Sequence, residues 1–301
     1  MFKTATPRKA PLGASLIVLS SLFYASYGIW ITLMGNFFEG FTASAIRSVF
    51  VLMILVPMAL LYRQLGAINW RQNWCYLAGL LLTAILIWGP LYFAILQAGI
   101  GISLAINYTC IVIGMFVFGK LLAGERLTKD KLLSATLGLI GLALIFSPSV
   151  AAIGWLALGA AAFSGLSSAG HMVIAKKLPY NPTQTTILVW TASVIANVAM
   201  AFVLREHFPT IGLHTQWLYM IIFAVASVVA SWTFIKGIKL IDAGAAGILG
   251  LLEIVFGVLF GIILFHERPG WIVLLGSVVV IVAAAIPYIK DYNAKRGTLE
   301  R

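Results

Sequence analysis

The nonapeptide GKLLAGERL (residues 119–127) returns 142 positions later as GIILFHERP (residues 261–269), and each copy closes one apolar stretch and opens onto another. Gly119 lies over Gly261, Glu125 over Glu267 and Arg126 over Arg268 without a gap. Working outward from these two marks, ten apolar segments emerge: Leu12–Met34, Gly40–Leu61, Gln72–Gln97, Gly101–Leu122, Leu132–Ser147, Ala151–Ala175, Thr183–Leu204, Gln216–Ile238, Ala243–His266 and Gly270–Ile289. Most reach about 20 residues or more, roughly 30 Å of helix, which matches the hydrocarbon thickness of a bilayer. Five crossings per copy is an odd number, so the second copy must enter the membrane from the opposite side. Residues 1–147 and 148–301 are thus expected to form two inverted five-helix repeats of an all-α integral membrane protein with ten transmembrane helices.

Composition agrees. Hydrophobic residues make up 61% of the chain and charged ones 10%, too few for a water-facing surface. The net charge of +11 suggests nucleic acid until the bases are placed. Lys3, Arg8, Lys9, Arg63, Arg71, Lys120, Arg126, Lys129, Lys131, Lys176, Lys177, Lys236, Lys239, Lys290, Lys295, Arg296 and Arg301 all fall on one side of the ten-span topology. Only Arg47, Arg205 and Arg268 fall elsewhere. The positive-inside rule then puts both termini in the cytoplasm, and the basic charge records topology instead of a polyanionic partner. Trp30, Trp70, Trp74, Trp155, Trp217 and Trp271 cluster near span ends, as interfacial aromatics do.

The ninth span carries Ala246, Gly250, Glu253, Gly257 and Gly261 on one helical face, a small-residue stripe expected to pack against a neighbour. It also places Glu253 in mid-membrane, where a carboxylate is costly unless bonded or in contact with water. Two readings stay open: a structural bond to a neighbouring helix, or a proton or substrate-amine site. Asn107 and His171 are likewise costly to bury, although His171 lies near a span end. Tyr24, Tyr27, Trp88, Tyr92, Tyr108, Trp190 and Trp232 sit deeper than belt residues do, and each indole N–H or phenol O–H needs a partner. Trp88 and Tyr92 share a face beside Pro90, which frees a backbone carbonyl. A cavity lined by aromatic and small polar groups explains the set better than seven separate packing accidents. Tyr27, Trp88, Tyr92, Asn107, His171, Trp190, Trp232 and Glu253 are the candidate substrate-binding residues.

Other chemistry is missing. There is no Walker A motif, and Gly99-Ile-Gly101-Ile lacks the third glycine of a dinucleotide fingerprint. His266-Glu267-Arg268-Pro269-Gly270 has glycine where HExxH needs its second histidine. Cys75 and Cys110 lack metal-site or disulfide spacing. No catalytic residue, cofactor or metal is expected.

Two halves of about 140 residues, each ending in helix–(G/H)ER(L/P)–helix, resemble the drug/metabolite transporter superfamily and its EamA-type ten-helix members. Leu252-Glu253-Ile254 is similar to that family's Leu-Glu-Pro signature, with isoleucine in place of proline, whereas the first copy has Cys110-Ile111-Val112. Within the family the chain looks most like the YddG-type aromatic amino acid exporters. The resemblance implies a secondary exporter of aromatic or large neutral amino acids and related metabolites in a bacterial inner membrane, working by alternating access. Its partners would be a small-molecule substrate and the lipid bilayer. A multidrug exporter of lipophilic cations using Glu253 is the alternative. An intramembrane enzyme and a non-transporting scaffold are more distant ones.

Overall fold

The computed structural model describes residues 10–147, 154–210 and 212–299. Lys3, Arg8, Lys9, Arg301 and the opening residues 151–153 of the sixth expected span lie outside the described residues, as do the side chains of Trp70, Lys290, Lys295 and Arg296. Among the described residues the structure is helical, with no strand. The helices are α1 (Ala10–Ala25), α2 (Tyr27–Met34), α3 (Gly40–Leu61), α4 (Trp70–Ala98), α5 (Ile100–Ala123), α6 (Lys129–Phe146), α7 (Trp155–Lys177), α8 (Pro182–Val203), α9 (Thr215–Ile238), α10 (Ala243–Gly250), α11 (Leu252–Phe265) and α12 (Trp271–Leu299). With α1–α2 and α10–α11 each read as one rod, eight are long and apolar enough to cross a membrane. Helix α6 and the apolar part of α12, Trp271–Ile286, complete the ten.

The sequence suggests continuous rods, but the first and ninth are interrupted. At Ser26 and Leu251 the backbone keeps right-handed helical angles while its hydrogen bonding tightens from four residues to three, with Ile29 N–H donating to Ser26 O and Ile254 N–H to Leu251 O. Neither break contains proline. Short 3₁₀ stretches inside a helix are common hinge points. The two broken rods pack on one another, and the Ser21 hydroxyl donates to the Leu249 carbonyl at 3.3 Å, two residues before the second break.

Helix pairing follows the repeat. Helix α1 lies on α9 as α4 lies on α7, and α5 lies on α7 as the α10–α11 rod lies on α1. The pairs α3–α8 and α6–α12 map onto themselves when five spans are added. The pseudo-twofold relation read from two nonapeptides therefore governs the whole bundle. Since leaving lipid gives helices no hydrophobic gain, close contact relies on small residues. At the α6–α12 crossing a Cβ on Gly141 would lie 2.8 Å from the Gly276 carbonyl, and one on Gly276 would lie 2.6 Å from the Gly141 carbonyl. Only glycine fits on either side.

The repeated nonapeptide is a helix C-cap. Glu125 N–H bonds back to Gly119 O at 3.1 Å, and Glu267 N–H to Gly261 O at 3.0 Å, the six-to-one bond of a Schellman motif. The residue before each glutamate is left-handed: Gly124 at φ +67° and His266 at φ +55°. The glutamate folds over the first glycine of its copy, so a Cβ on Gly119 would meet Glu125 Oε2 at 2.7 Å, and one on Gly261 would clash with the Glu267 carboxylate. This explains why the glycine and the glutamate recur together.

Span ends carry Trp74, Trp155 and Trp271 exposed, as belt residues should be. Trp217 departs from that expectation. It packs edge-on to Phe38 at 5.1 Å and Phe37 at 6.4 Å, because the chain after α2 folds against α9 there. Gly124→Ala should lower the thermal midpoint of the detergent-purified protein by the equivalent of ~1–2 kcal/mol, the cost of a side chain in the left-handed region. His266→Gly should move the midpoint the other way by less; scanning fluorimetry checks both.

Candidate functional site

Between the halves, α2, α3, α8 and α9 enclose one buried base. Arg47 lies seven residues into α3, about 10 Å along the helix, and is 6% exposed, so its head does not reach the surface. Its guanidinium carbon lies 4.5 Å from the centre of the Phe223 ring, 4.9 Å from Tyr27 and 5.6 Å from Trp190. Tyr27 is itself edge-on to Phe223 at 4.6 Å and to Tyr24 at 5.2 Å. A base near a helix centre costs about 2.5–3.5 kcal/mol to insert. Each desolvated ring beneath a cation returns about 2 kcal/mol or more. Three rings therefore offset the charge. They provide no lone pair for its N–H groups, and Arg47 Nε is buried with no hydrogen-bond partner. Among the described residues no carboxylate lies within ion-pair distance of it.

Glu253 forms the other charged point. It sits in the first turn of α11, directly after the break at Leu251. Its Oε1 accepts the Tyr108 hydroxyl at 2.9 Å, joining α11 to α5. The small-residue stripe on this rod does not pack as expected. Ala246 is fully buried and Gly261 is covered by Glu267, but a Cβ on Gly250 or Gly257 would meet nothing within 4 Å, so the middle of the stripe, around Glu253, borders open space. A separate open groove of about 410 Å³ runs between α1 and the α10–α11 rod, lined by Ala14, Ser15, Val18, Leu19, Leu22, Leu249 and Phe256. Its walls are nearly all hydrocarbon, which suits lipid.

The structure thus brings Tyr27 and Trp190 together around Arg47, and sets Glu253 with Tyr108 nearby. It places the remaining sequence candidates elsewhere. Asn107 ties α5 to α7, its amide donating to Ser164 Oγ at 2.9 Å and to Ala161 O at 3.4 Å. Ser164 in turn donates to the Ile87 carbonyl beside Pro90. His171 Nδ1 is 3.0 Å from Thr83 Oγ1, a tie from α7 to α4. Trp232 lies toward the other end of α9, donating to Thr183 Oγ1 at 3.0 Å under the Lys236 ammonium. Trp88 and Tyr92 are 41% and 43% exposed; Tyr92 meets Phe41 edge-on at 5.5 Å. The members of this cluster that the candidate set missed are Arg47 and Phe223. Arg47 was legible as the one base deep inside a span, out of step with the charge pattern.

The two copies of the Glu-Arg mark differ in their surroundings. Glu125 is largely buried, taking the Lys176 ammonium on Oε1 at 2.5 Å and the Ala243 N–H at the start of α10 on Oε2 at 2.7 Å. Lys176 also donates to Ile241 O at 2.6 Å, and Lys131 pairs with Asp242 alongside. Glu267 is exposed and makes no side-chain bond among the described residues. The Glu125 carboxylate is thus bonded across the halves and its repeat counterpart Glu267 is not, while at the Glu267 end the halves are joined by Glu206, which takes the Phe41 and Thr42 N–H groups, and by the Glu39–His207 pair.

A model of the EamA-like transporter family matches residues 11–147 and 155–288, one copy over each half. A solved structure described only as the crystal structure of a protein is similar in fold at a TM-score of 0.77 and 15% identity, covering 94% of this chain and 99% of its own. No curated protein matches the sequence. Tyr108→Phe removes the donor that meets Glu253 and should cost about 1–3 kcal/mol, the penalty of leaving a buried polar group unpaired. A thermal midpoint unchanged from wild type would show that water already serves the carboxylate.

Proposed function

Because the chain belongs to the EamA-like transporter family, we propose that it is a secondary exporter of aromatic and other large neutral amino acids, working by alternating access without ATP. The observation that carries the substrate class is the ring cluster inside the membrane: Tyr24 and Tyr27 from the first half, Phe223 and Trp190 from the second. An aromatic side chain entering there joins an edge-to-face array, at about 0.5–1.5 kcal/mol per ring pair beyond its burial. The similarity to YddG-type exporters points the same way.

The charge pattern makes the Glu125 end the cytoplasmic one, with both termini there. Alternating access is supported by the unequal state of the two equivalent glutamates. The ion pairs Glu125–Lys176 and Lys131–Asp242, which join the halves at the cytoplasmic end, are read as its gate. Subtracting 142 from Ala243 gives Gly101, at the start of α5. The opposite conformation then has Glu267 capping the start of α5 as Glu125 now caps α10, while the Glu125 bonds release. Inverted repeats exchange states in this way. The breaks at Ser26 and Leu251 supply bending points beside the cluster.

A second reading, export of lipophilic cations, draws on Glu253, whose carboxylate has no cationic partner among the described residues. Glu253→Gln separates the two, since it should abolish cation transport and leave neutral amino acid exchange largely intact.

Liposomes reconstituted with the pure protein should exchange internal phenylalanine or tryptophan for the labelled amino acid with no nucleotide present. Well-folded protein without such exchange rejects the substrate class. Glu125→Gln weakens that gate by roughly 1–3 kcal/mol. It should slow exchange several-fold and expose Lys176 to trypsin from the cytoplasmic side. Wild-type cleavage together with wild-type exchange would count against the gate.

A further inference from the structure

We propose that the Arg47 guanidinium is the docking point for the substrate's carboxylate. The inference rests on the amino acid reading and assigns one end of that substrate. The ring cluster neutralises the cost of burying a charge but uses none of its hydrogen-bonding capacity, and the Nε–H points into protein with no acceptor. Other buried polar atoms on the surrounding helices are also unmatched. Asn197 Oδ1 on α8 has no partner, and the Tyr27 hydroxyl, which lies near Ser227, makes no well-formed hydrogen bond. Neighbouring hydroxyls are already committed: Ser227 to Phe223 O, Ser231 to Ser227 O, and Ser48 to Ser44 O. The Trp190 indole is occupied by Ser231 at 2.8 Å. A purely structural arginine in a membrane would be expected to hold an acidic side chain or a run of carbonyls. This one faces only rings.

A carboxylate fits what is left over. The guanidinium fork matches its two oxygens, and a charge-assisted pair formed away from water is among the stronger polar contacts available. Among the described residues no acidic side chain lies within ion-pair distance of Arg47 to compete with the substrate's carboxylate.

The test compares full-length wild type, Arg47→Gln and Arg47→Lys in liposomes, using phenylalanine as substrate and two competitors, 3-phenylpropionate and phenethylamine. The first competitor keeps the carboxylate and lacks the amine; the second reverses this. Arg47→Gln should raise the KM for phenylalanine by about tenfold or more, the scale of one lost charge-assisted hydrogen bond. It should also abolish competition by 3-phenylpropionate and leave competition by phenethylamine in place, with Arg47→Lys intermediate. An unchanged KM and an unchanged competitor pattern, with only the thermal midpoint moved, would falsify the assignment and make Arg47 a packing group. If wild type exchanges no amino acid, the substrate reading fails separately. The assignment is then judged on thermal shift of the pure protein by 3-phenylpropionate: a stabilisation lost in Arg47→Gln keeps it, and none in wild type overturns it.

Discussion

Hydrocarbon offers no hydrogen-bond partner, so every polar group that crosses it must be matched within the chain. Most of this bundle obeys by local means. Thr32, Thr136, Ser167, Thr191 and Thr233 each turn a hydroxyl back to the carbonyl four residues before it and become, in effect, part of their own helix. Where a side chain instead reaches across a seam, it fixes the relation of two rods: Ser20 to Ala230 O, Asn107 to Ser164, Trp190 to Ser231. Against this matching, the Tyr27 hydroxyl, Thr42 Oγ1, Ser103 Oγ, Asn197 Oδ1 and Arg47 Nε are buried without a partner, and of these only Arg47 belongs to a charged group.

The same constraint shapes how the bundle moves. Backbone cannot unwind freely in lipid, so bending is confined to short 3₁₀ turns that lose little hydrogen bonding, as at Ser26 and Leu251. The second turn lies where α1 packs on the ninth rod, with the Ser21 hydroxyl donating to Leu249 O just before it. Glu253, two residues past that break, is matched by the Tyr108 hydroxyl from α5.

Symmetry of sequence did not produce symmetry of environment. The GER and HER caps share a hydrogen-bond pattern and a left-handed residue, yet Glu125 is bonded across the halves and Glu267 is open. The local cap is fixed by the glycine six residues before each glutamate and by the reversed turn. The partners are fixed by the conformation of the whole. Lys176 has Met34 at its equivalent position in the first half, so even the exchanged state would close its outer end with fewer charges.

Depth was legible in the sequence, because position along a helix is a count of residues. Arg47, Glu253, Tyr27 and Trp190 were all placed well inside their spans by that count, and the spans and their repeat followed from apolar length and the two Glu-Arg marks. Direction around the helix was not legible. A span buried in lipid on one side and in protein on the other is apolar all round, so no amphipathic stripe reports which face turns inward. Trp88 and Tyr92 were read at the right depth but lie on an open face, and the Gly250–Gly257 stripe borders space where close packing was expected. Asn107 and His171 were singled out for their burial cost, and neighbours from α7 and α4 absorb them as cross-ties. The sequence alone determined that this chain is a bundle of membrane-spanning helices and that its halves are copies. Which rings surround Arg47 was decided only when α2, α3, α8 and α9 met, because that contact depends on the fit of small residues at seams whose two sides lie up to hundreds of positions apart.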